Sequence, residues 1–217
     1  MTFVKDPANP ILTATDIEST FGETGVTDTR VSSVVRIRGE YCFYGTFASS
    51  MGFEIFYAKG GDWSTPVPQR VLFTPDLGFE VVQAPTVFLH PDTLLDEMIF
   101  TEGLLAPPGA RHLVVAHSAD GMTWNRQSGV FLGLSNNIHR RGDEPWEWMR
   151  VYGASLLMES TGDFVKPVLI GGSYLLHYSG SSFAYGDETG LLLITPSAAG
   201  IGGTIRHGRS LVRVSHC

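Results

Sequence analysis

The stretch that decides the fold is Phe164–Gly180, FVKPVLIGGSYLLHYSG. It begins with a short apolar run, passes through Gly171-Gly172 and ends with a second run that mixes aromatic and aliphatic residues. Two adjacent glycines favour a two-residue hairpin turn because both tolerate a positive φ angle. The flanking runs carry the residue types that suit a pleated, half-buried surface. The stretch therefore predicts a β-hairpin with strands at Lys166–Ile170 and Tyr174–Ser179.

The same order of short strands recurs upstream of this hairpin. We expect three units of four strands each, at approximately 28–73, 81–133 and 164–215. Four short strands repeated at this spacing are typical of β-propeller blades. A β-sandwich with the same number of strands is the alternative, and the recurrence of the same turn chemistry within each unit favours blades. The sequence predicts an all-β protein: one domain, 1–217, a β-propeller of four-stranded antiparallel blades, about three blades per chain.

Two segments fall outside the repeat. Residues 13–23 carry no strand signal and are predicted to be a loop, and residues 136–160 are predicted to be an insertion between the second and third units. Loops on a rigid scaffold often carry binding sites. Trp146 and Trp148 in the insertion are therefore candidates for stacking on a sugar ring. The alternative is that one of them belongs to the core.

Composition excludes several functional classes. A net charge of −7 and the lack of a Lys/Arg-rich run argue against nucleic acid and against an anionic membrane surface. No apolar run approaches the roughly 18 residues that span a bilayer, and the N-terminus has no signal-peptide core. Two separated cysteines, Cys42 and Cys217, predict free thiols and a reducing compartment. We therefore expect a cytoplasmic protein without a membrane partner.

Cofactor motifs are also missing from the sequence. No histidine pair has the spacing of a metal site such as HExxH, and there is no Walker loop, GxGxxG turn or GxSxG elbow. We therefore expect no cofactor and no metal.

Three stretches resemble the five-bladed propeller glycosidases, a superfamily that includes arabinanases, xylosidases, fructosidases and mannoside phosphorylases. They are the strand Ala84–Phe88, the hairpin Lys166–Gly180 and the strand-turn His112–Trp124. The likeness covers most of residues 30–215 as an architecture. These motifs mark the turns and strand starts of blades, so they are specific evidence for the fold and weak evidence for an activity.

The turn within Ser118–Trp124, SADGMTW, is also similar to the Asp-box of sialidases, although it is one residue short. We expect a structural role for it. Asp120 can accept backbone N–H bonds across the turn, Gly121 supplies the φ angle, and Trp124 packs between blades.

The resemblance implies catalytic carboxylates at the starts of the innermost strands, facing a central funnel, and glycoside cleavage needs two such groups. This sequence departs from that pattern, because Val31, Ala84 and Lys166 stand directly before the proline position of strand one. Asp28 and Asp163 each lie four residues before that position. They are our catalytic acid/base candidates, and turn capping is the alternative reading of both.

The predicted substrate-binding residues are polar or aromatic side chains near the funnel or in the insertion: Arg30, Gln83, Lys166, Trp146, Trp148 and His177. For His177, an orientation into the ring and one into a neighbouring blade both remain open.

Three functions follow from these residues. The first is a glycosidase-like enzyme that acts on a saccharide or a related polyhydroxylated small molecule by carboxylate acid/base chemistry. The second is a lectin-like propeller that binds carbohydrate without catalysis. The third is a biosynthetic enzyme that reuses the propeller, with Lys166 or a histidine as its acid/base group. Because the family has five blades and only three are recognised, a homodimer that closes a six-blade ring is one arrangement we consider.

Overall fold

In the part of the chain that the structure describes, the protein is all-β apart from one short helix. The computed structural model describes residues 12–37, 39–50, 52–60, 67–74, 81–90, 94–103, 111–127, 132–133, 150–160, 165–182, 186–194 and 214–215. The elements, in chain order, are α1 (Ala14–Phe21), β1 (Thr27–Ile37), β2 (Glu40–Ser49), β3 (Gly52–Gly60), β4 (Val67–Arg70), β5 (Leu72–Thr74), β6 (Val81–Leu89), β7 (Asp96–Gly103), β8 (Arg111–Ser118), β9 (Thr123–Arg126), β10 (Leu132–Gly133), β11 (Arg150–Leu156), β12 (Met158–Ser160), β13 (Val165–Pro167), β14 (Leu169–Ile170), β15 (Ser173–Ser182), β16 (Gly186–Ile194) and β17 (Val214–Ser215).

The strands form three antiparallel blades, as the sequence predicts. Blade 1 is β1-β2-β3-β4, blade 2 is β6-β7-β8 with β9 and β10 sharing the fourth place, and blade 3 is β11-β15-β16-β17. The third strand of one blade meets the innermost strand of the next at a single parallel pair, Phe53 with Val81 and Arg111 with Arg150. After blade 1, β5 also runs parallel to β9 of blade 2. Because both single pairs involve strand starts, the starts of the innermost strands β1, β6 and β11 lie at one end of the molecule.

The innermost strand of blade 3 differs from the prediction. The structure puts β11 between β8 and β15, within the stretch that the sequence suggested was an insertion. The predicted strand Lys166–Ile170 is divided instead. Its first part, β13, pairs with β12, and its second part, β14, forms the hairpin with β15. The predicted turn of that hairpin is confirmed, since Gly171 and Gly172 have φ angles of 59° and 81°.

The predicted loop at residues 13–23 contains α1. Thr13 caps this helix: its hydroxyl accepts the backbone N–H of Asp16, and the Asp16 carboxylate accepts the backbone N–H of Thr13 at 2.7 Å. This capping box, followed by Gly22 in the left-handed conformation at the other end, is the sequence signal for the helix. Ile17 is buried against Phe47 and Phe56 of blade 1, which gives the short helix its tertiary support. Among the described residues, no helix is long and apolar enough to cross a bilayer.

The hydrophobic core lies between the blades. On β8, Val114 and Ala116 pack toward blade 1, whereas Leu113 and Val115 pack toward blade 3. Successive side chains of a strand point to opposite faces, so an uninterrupted apolar run is what a strand buried on both faces requires. Trp124 is fully buried between blades 1 and 2, and its ring and that of Tyr44 are nearly perpendicular at a centroid distance of 6.0 Å.

Hydroxyl groups join the blades at the end where the innermost strands begin. Thr46 of β2 accepts the backbone N–H of Ala84 at 2.9 Å, and Thr101 of β7 accepts the backbone N–H of Gly153 at 3.0 Å. Each bond crosses from the second strand of one blade to a bulge in the innermost strand of the next. The same contact therefore recurs at both blade junctions, as expected of a propeller repeat.

Candidate functional site

A cleft of about 290 Å³ opens between blades 1 and 2 at the end where the innermost strands begin. Its volume lies near the lower limit of small-molecule sites, roughly 300 Å³, and suits a ligand of about one sugar unit. The described residues that line it are Asp28, Arg30, Ser32, Thr46, Phe53, Gln83, Ala84 and Arg111. Three residues predicted from the sequence, Asp28, Arg30 and Gln83, are thus brought together.

The first wall of the cleft is the start of β1. Asp28 has a φ angle of 53°, in the left-handed region, and lies in a bulge between Thr27 and Arg30. Asp tolerates this conformation better than most residues because its short polar side chain bonds locally. Here Oδ1 of Asp28 accepts Nε of Arg30 at 2.5 Å. The bulge thus turns a carboxylate and a guanidinium together toward the cleft.

The second wall is the start of β6. Gln83 pairs with Thr101 as Arg30 pairs with Thr46, so the two residues hold the same place in successive blades. Ala84 follows in a second bulge, with a φ angle of 53°. A left-handed alanine is strained, and backbone strain of this kind concentrates at functional sites. The bond from its N–H to Thr46 holds the strained turn in place.

Sequence reasoning missed the aromatic ring and the second guanidinium of the cleft, which belong to Phe53 and Arg111. Phe53 is the second residue of β3 and Arg111 the first of β8, and both are half-buried. They occupy equivalent places, because each lies at the parallel contact with the next blade. The sequence signal that could have identified them is that both lie at the start of the third strand of a predicted four-strand unit. Phe53 offers an apolar ring, and Arg111 adds a second guanidinium.

The remaining predicted site residues do not line the cleft in the described part of the chain. Lys166 lies in β13, with Nζ 3.1 Å from Oε1 of Glu159 on β12. His177 is exposed on β15, on the face opposite Leu176 and Tyr178, which pack toward blade 2. Asp163, Trp146 and Trp148 lie outside the described residues.

The predicted equivalence of Asp28 and Asp163 loses its basis in the structure. It rested on Pro167 marking the innermost strand of blade 3, but Pro167 ends β13, which pairs with β12. The innermost strand is β11, which pairs with β15. Pro167 and Ser32 therefore do not mark equivalent strands, and a catalytic role for Asp163 stays a prediction.

Buried carboxylates in β7 form a second polar feature that sequence reasoning missed. Asp96, Glu97 and Glu102 are all fully buried, although none is among the residues that line the cleft. Glu97 contacts Nε2 of His117 at 2.7 Å. Acidic residues inside the apolar strand sequence DEMIFTEG were the available signal, because a buried acid requires partners.

Glu102 has the most complete set of partners among these acids. Arg126 donates to both of its carboxylate oxygens, with an Nε–Oε2 distance of 2.9 Å, and Nε2 of His112 lies 2.8 Å from Oε1. Burial alone would raise the pKa of Glu102, but the hydrogen bonds from Arg126 and His112 outweigh it and lower the pKa below its usual value. The contacts join β7, β8 and β9 within blade 2, and we interpret them as a structural ion pair.

The Ser118–Trp124 turn has the predicted structural role. Oδ1 of Asp120 accepts the backbone N–H groups of Met122 and Thr123, both at 2.8 Å. Those hydrogen bonds lower the pKa of Asp120. Gly121 has a φ angle of 79°, and its carbonyl accepts the indole N–H of Trp124 at 3.1 Å.

The cleft can therefore hold a small polar ligand by several kinds of contact. Asp28, Gln83 and Ser32 supply hydrogen-bonding groups of the type that sugar hydroxyls need. Phe53 supplies an aromatic ring for the apolar face of a sugar. Asp28 is the one carboxylate among the described lining residues. Within the described ranges, no three His, Cys, Asp or Glu side chains are grouped as metal ligands.

Three solved structures with a similar fold are named as a glycoside phosphorylase or as glycoside hydrolases. The chain is similar to beta-1,2-mannobiose phosphorylase from Listeria innocua (TM-score 0.54, 18% identity, covering 78% of this chain and 40% of that one). It is similar to a thermostable family-43 glycoside hydrolase (TM-score 0.53, 12% identity, 88% and 54% covered). A family 117 glycoside hydrolase from the marine bacterium Zobellia galactanivorans is a third (TM-score 0.55, 16% identity, 80% and 54% covered).

These likenesses confirm the fold predicted from the sequence, because all three structures are glycosidase-type five-bladed propellers. The chain spans about half of the length of the structures it matches. No protein-family model and no curated protein sequence matches it.

Proposed function

We propose that this protein is a glycosidase-like propeller enzyme that acts on a saccharide or a related polyhydroxylated small molecule. The ligand binds in the cleft between blades 1 and 2, and Asp28 is an acid/base carboxylate of the reaction. The observation that carries the proposal is the position of Asp28, at the start of an innermost strand and on the wall of the cleft. The resemblance to propeller glycosidases implies catalytic acids at the starts of the innermost strands, and Asp28 lies three residues before Val31, which stands at the position where the family pattern has its acid.

Two further features support the proposal. The cleft has the size of a single sugar unit and offers both hydrogen-bonding groups and the ring of Phe53. Its walls include two non-glycine residues with left-handed backbone, Asp28 and Ala84. Bulges and strain of this kind are retained beside active sites because they aim side chains.

A lectin-like function is the second candidate, and one observation favours it. Glycoside hydrolysis needs two carboxylates, one as acid and one as base or nucleophile. The described lining contains one, and that carboxylate contacts Arg30. Asp163 is our proposed second carboxylate. Without a second acid, the same cleft would bind a saccharide and leave it unchanged.

Turnover of a panel of nitrophenyl glycosides tests the enzymatic proposal. We expect Asp28→Asn to lower kcat/KM by at least about 100-fold, the usual minimum for loss of a general acid or base. Asp16→Asn is the matched control, because Asp16 lies in the exposed first turn of α1, and should keep full activity. Asp163→Asn should also lose activity if it is the second acid.

The outcome of two measurements separates the candidates. Full turnover by Asp28→Asn would refute the catalytic assignment. Saturable sugar binding in calorimetry without any turnover would support the lectin-like function instead. If the folded wild-type protein neither binds nor cleaves any sugar in the panel, the cleft is not a saccharide site and both candidates fail.

A further inference from the structure

We infer that the cleft selects a saccharide that carries an anionic group, either a carboxylate or a phosphate. This inference rests on the proposed saccharide function and names the substrate class more narrowly. It derives from the charges of the cleft. Two guanidinium groups, Arg30 and Arg111, and one carboxylate, Asp28, are the charged side chains among its described lining residues. Among the described lining residues, positive side chains therefore outnumber the single negative one, although the chain as a whole has a net charge of −7.

The geometry of Arg30 suits the recognition of an anion. Its contact with Asp28 joins Nε to a single carboxylate oxygen, so the outer Nη edge of the guanidinium is not used by that contact. Arg30 is 73% exposed and lines the cleft. A guanidinium oriented through one N–H by a neighbouring acid can present its other donors to a carboxylate or phosphate in the paired geometry that both prefer.

Arg111 approaches the same space from a different blade. It begins β8, whereas Arg30 lies near the start of β1. Arg111 is half-buried, and a charge that is partly removed from water attracts a ligand charge more strongly than an exposed one. An anionic group between the two arginines would be contacted from both sides of the cleft.

The neutral side chains of the cleft favour a charged sugar over a free anion as the ligand. Gln83 and Ser32 can exchange hydrogen bonds with hydroxyl groups, and Phe53 provides apolar contact. Inorganic phosphate or a simple carboxylate would leave these groups unused. A sugar acid or a sugar phosphate would use both sets of contacts.

Calorimetric binding of four probes tests the inference: glucose, glucuronate, glucose 6-phosphate and inorganic phosphate. We expect at least one charged sugar to bind about tenfold or more tightly than glucose at low salt. Arg30→Gln and Arg111→Gln should each remove most of that advantage. Arg36→Gln is the matched control, because Arg36 lies near the other end of β1 and stacks on Tyr41. Arg111→Lys keeps the positive charge and replaces Arg111→Gln in this test if the glutamine variant does not fold.

Each outcome decides a separate point. Preference for glucuronate identifies a carboxylate ligand, and preference for glucose 6-phosphate identifies a phosphate ligand. Equal binding of glucose and both charged sugars overturns the inference and leaves the proposed saccharide function intact. Binding of inorganic phosphate alone overturns it as well, because the sugar then contributes nothing. If no sugar binds, the proposed function itself fails.

Discussion

Replacing Arg126 with Met is expected to destabilise the protein by about 3 kcal/mol at pH 7. Arg126 is 16% exposed and donates to both carboxylate oxygens of Glu102, which is fully buried. Loss of one partner from a buried ion pair typically costs roughly 3–5 kcal/mol because a buried charge is left behind. His112 still contacts Glu102 at 2.8 Å in the variant, so the lower end of that range applies.

The destabilisation should depend on pH in a defined direction. In the wild-type protein the folded-state pKa of Glu102 is lowered, so the pair stabilises the fold above the unfolded-state pKa and loses this effect as the pH falls through the folded value. Without Arg126, burial dominates and raises the pKa of Glu102. The carboxyl group of the variant then takes up a proton at a higher pH. The stability difference between the two proteins should therefore shrink as the pH falls from 7 toward 4.

Thermal unfolding followed by circular dichroism measures this effect. For a chain of this length, about 3 kcal/mol corresponds to a fall in Tm of roughly 6–12 °C. Lys59→Met is the matched control, because the Lys59–Glu40 ion pair is about half exposed on both sides, and exposed pairs contribute roughly 0–1 kcal/mol. A Tm shift for Arg126→Met no larger than that of the control would refute the reasoning. A larger shift that stays constant between pH 7 and pH 4 would refute the assignment to Glu102.

Two further predictions concern turns and blade junctions. Gly121→Ala should lower the free energy of unfolding in urea by about 2–4 kcal/mol, because a left-handed alanine is strained and its Cβ would lie 2.8 Å from the buried Tyr44 hydroxyl. The control Gly153→Ala is also left-handed but has open space around it, so it should cost only about 1–2 kcal/mol. Equal losses in the two variants would contradict the steric explanation. Thr101→Val should lower the free energy of unfolding by about 1–2 kcal/mol, because the N–H of Gly153 loses its acceptor. The control Thr20→Val, at an exposed position of α1, should change that free energy by no more than about 0.5 kcal/mol. A Thr101 variant as stable as this control would show that the hydrogen bond between the blades contributes nothing.

Local patterns in the sequence predicted the blades well where one residue type determines the backbone. The Gly171-Gly172 turn requires two positive φ angles, and the structure has them. The Ser118–Trp124 turn depends on contacts among neighbours in sequence, so its hydrogen bonds could be inferred from that segment alone. The helix α1 was missed although its capping box was visible, because eight residues give too short a hydrophobic period to stand out.

Local patterns could not identify β11, because its place depends on partners far along the chain. Arg150–Leu156 resembles a loop insertion in sequence, with a glycine at its centre. It becomes an innermost strand because β8 and β15 flank it and Thr101 accepts the N–H of Gly153. The Lys166–Ile170 run had the stronger strand pattern, yet it is divided between β13 and β14.

By itself, the sequence determined the fold class, the hairpin turns and the resemblance to propeller glycosidases, since alternation and turn chemistry act between residues a few positions apart. It also selected Asp28, Arg30 and Gln83 as candidates from their places before the first strands. The tertiary structure alone decided that these three share a cleft with Arg111 and Phe53, and that Lys166 and His177 lie elsewhere. The physical reason is that bulges and blade packing aim side chains across long sequence separations. The net charge of a cleft is a property of strands brought together from different blades.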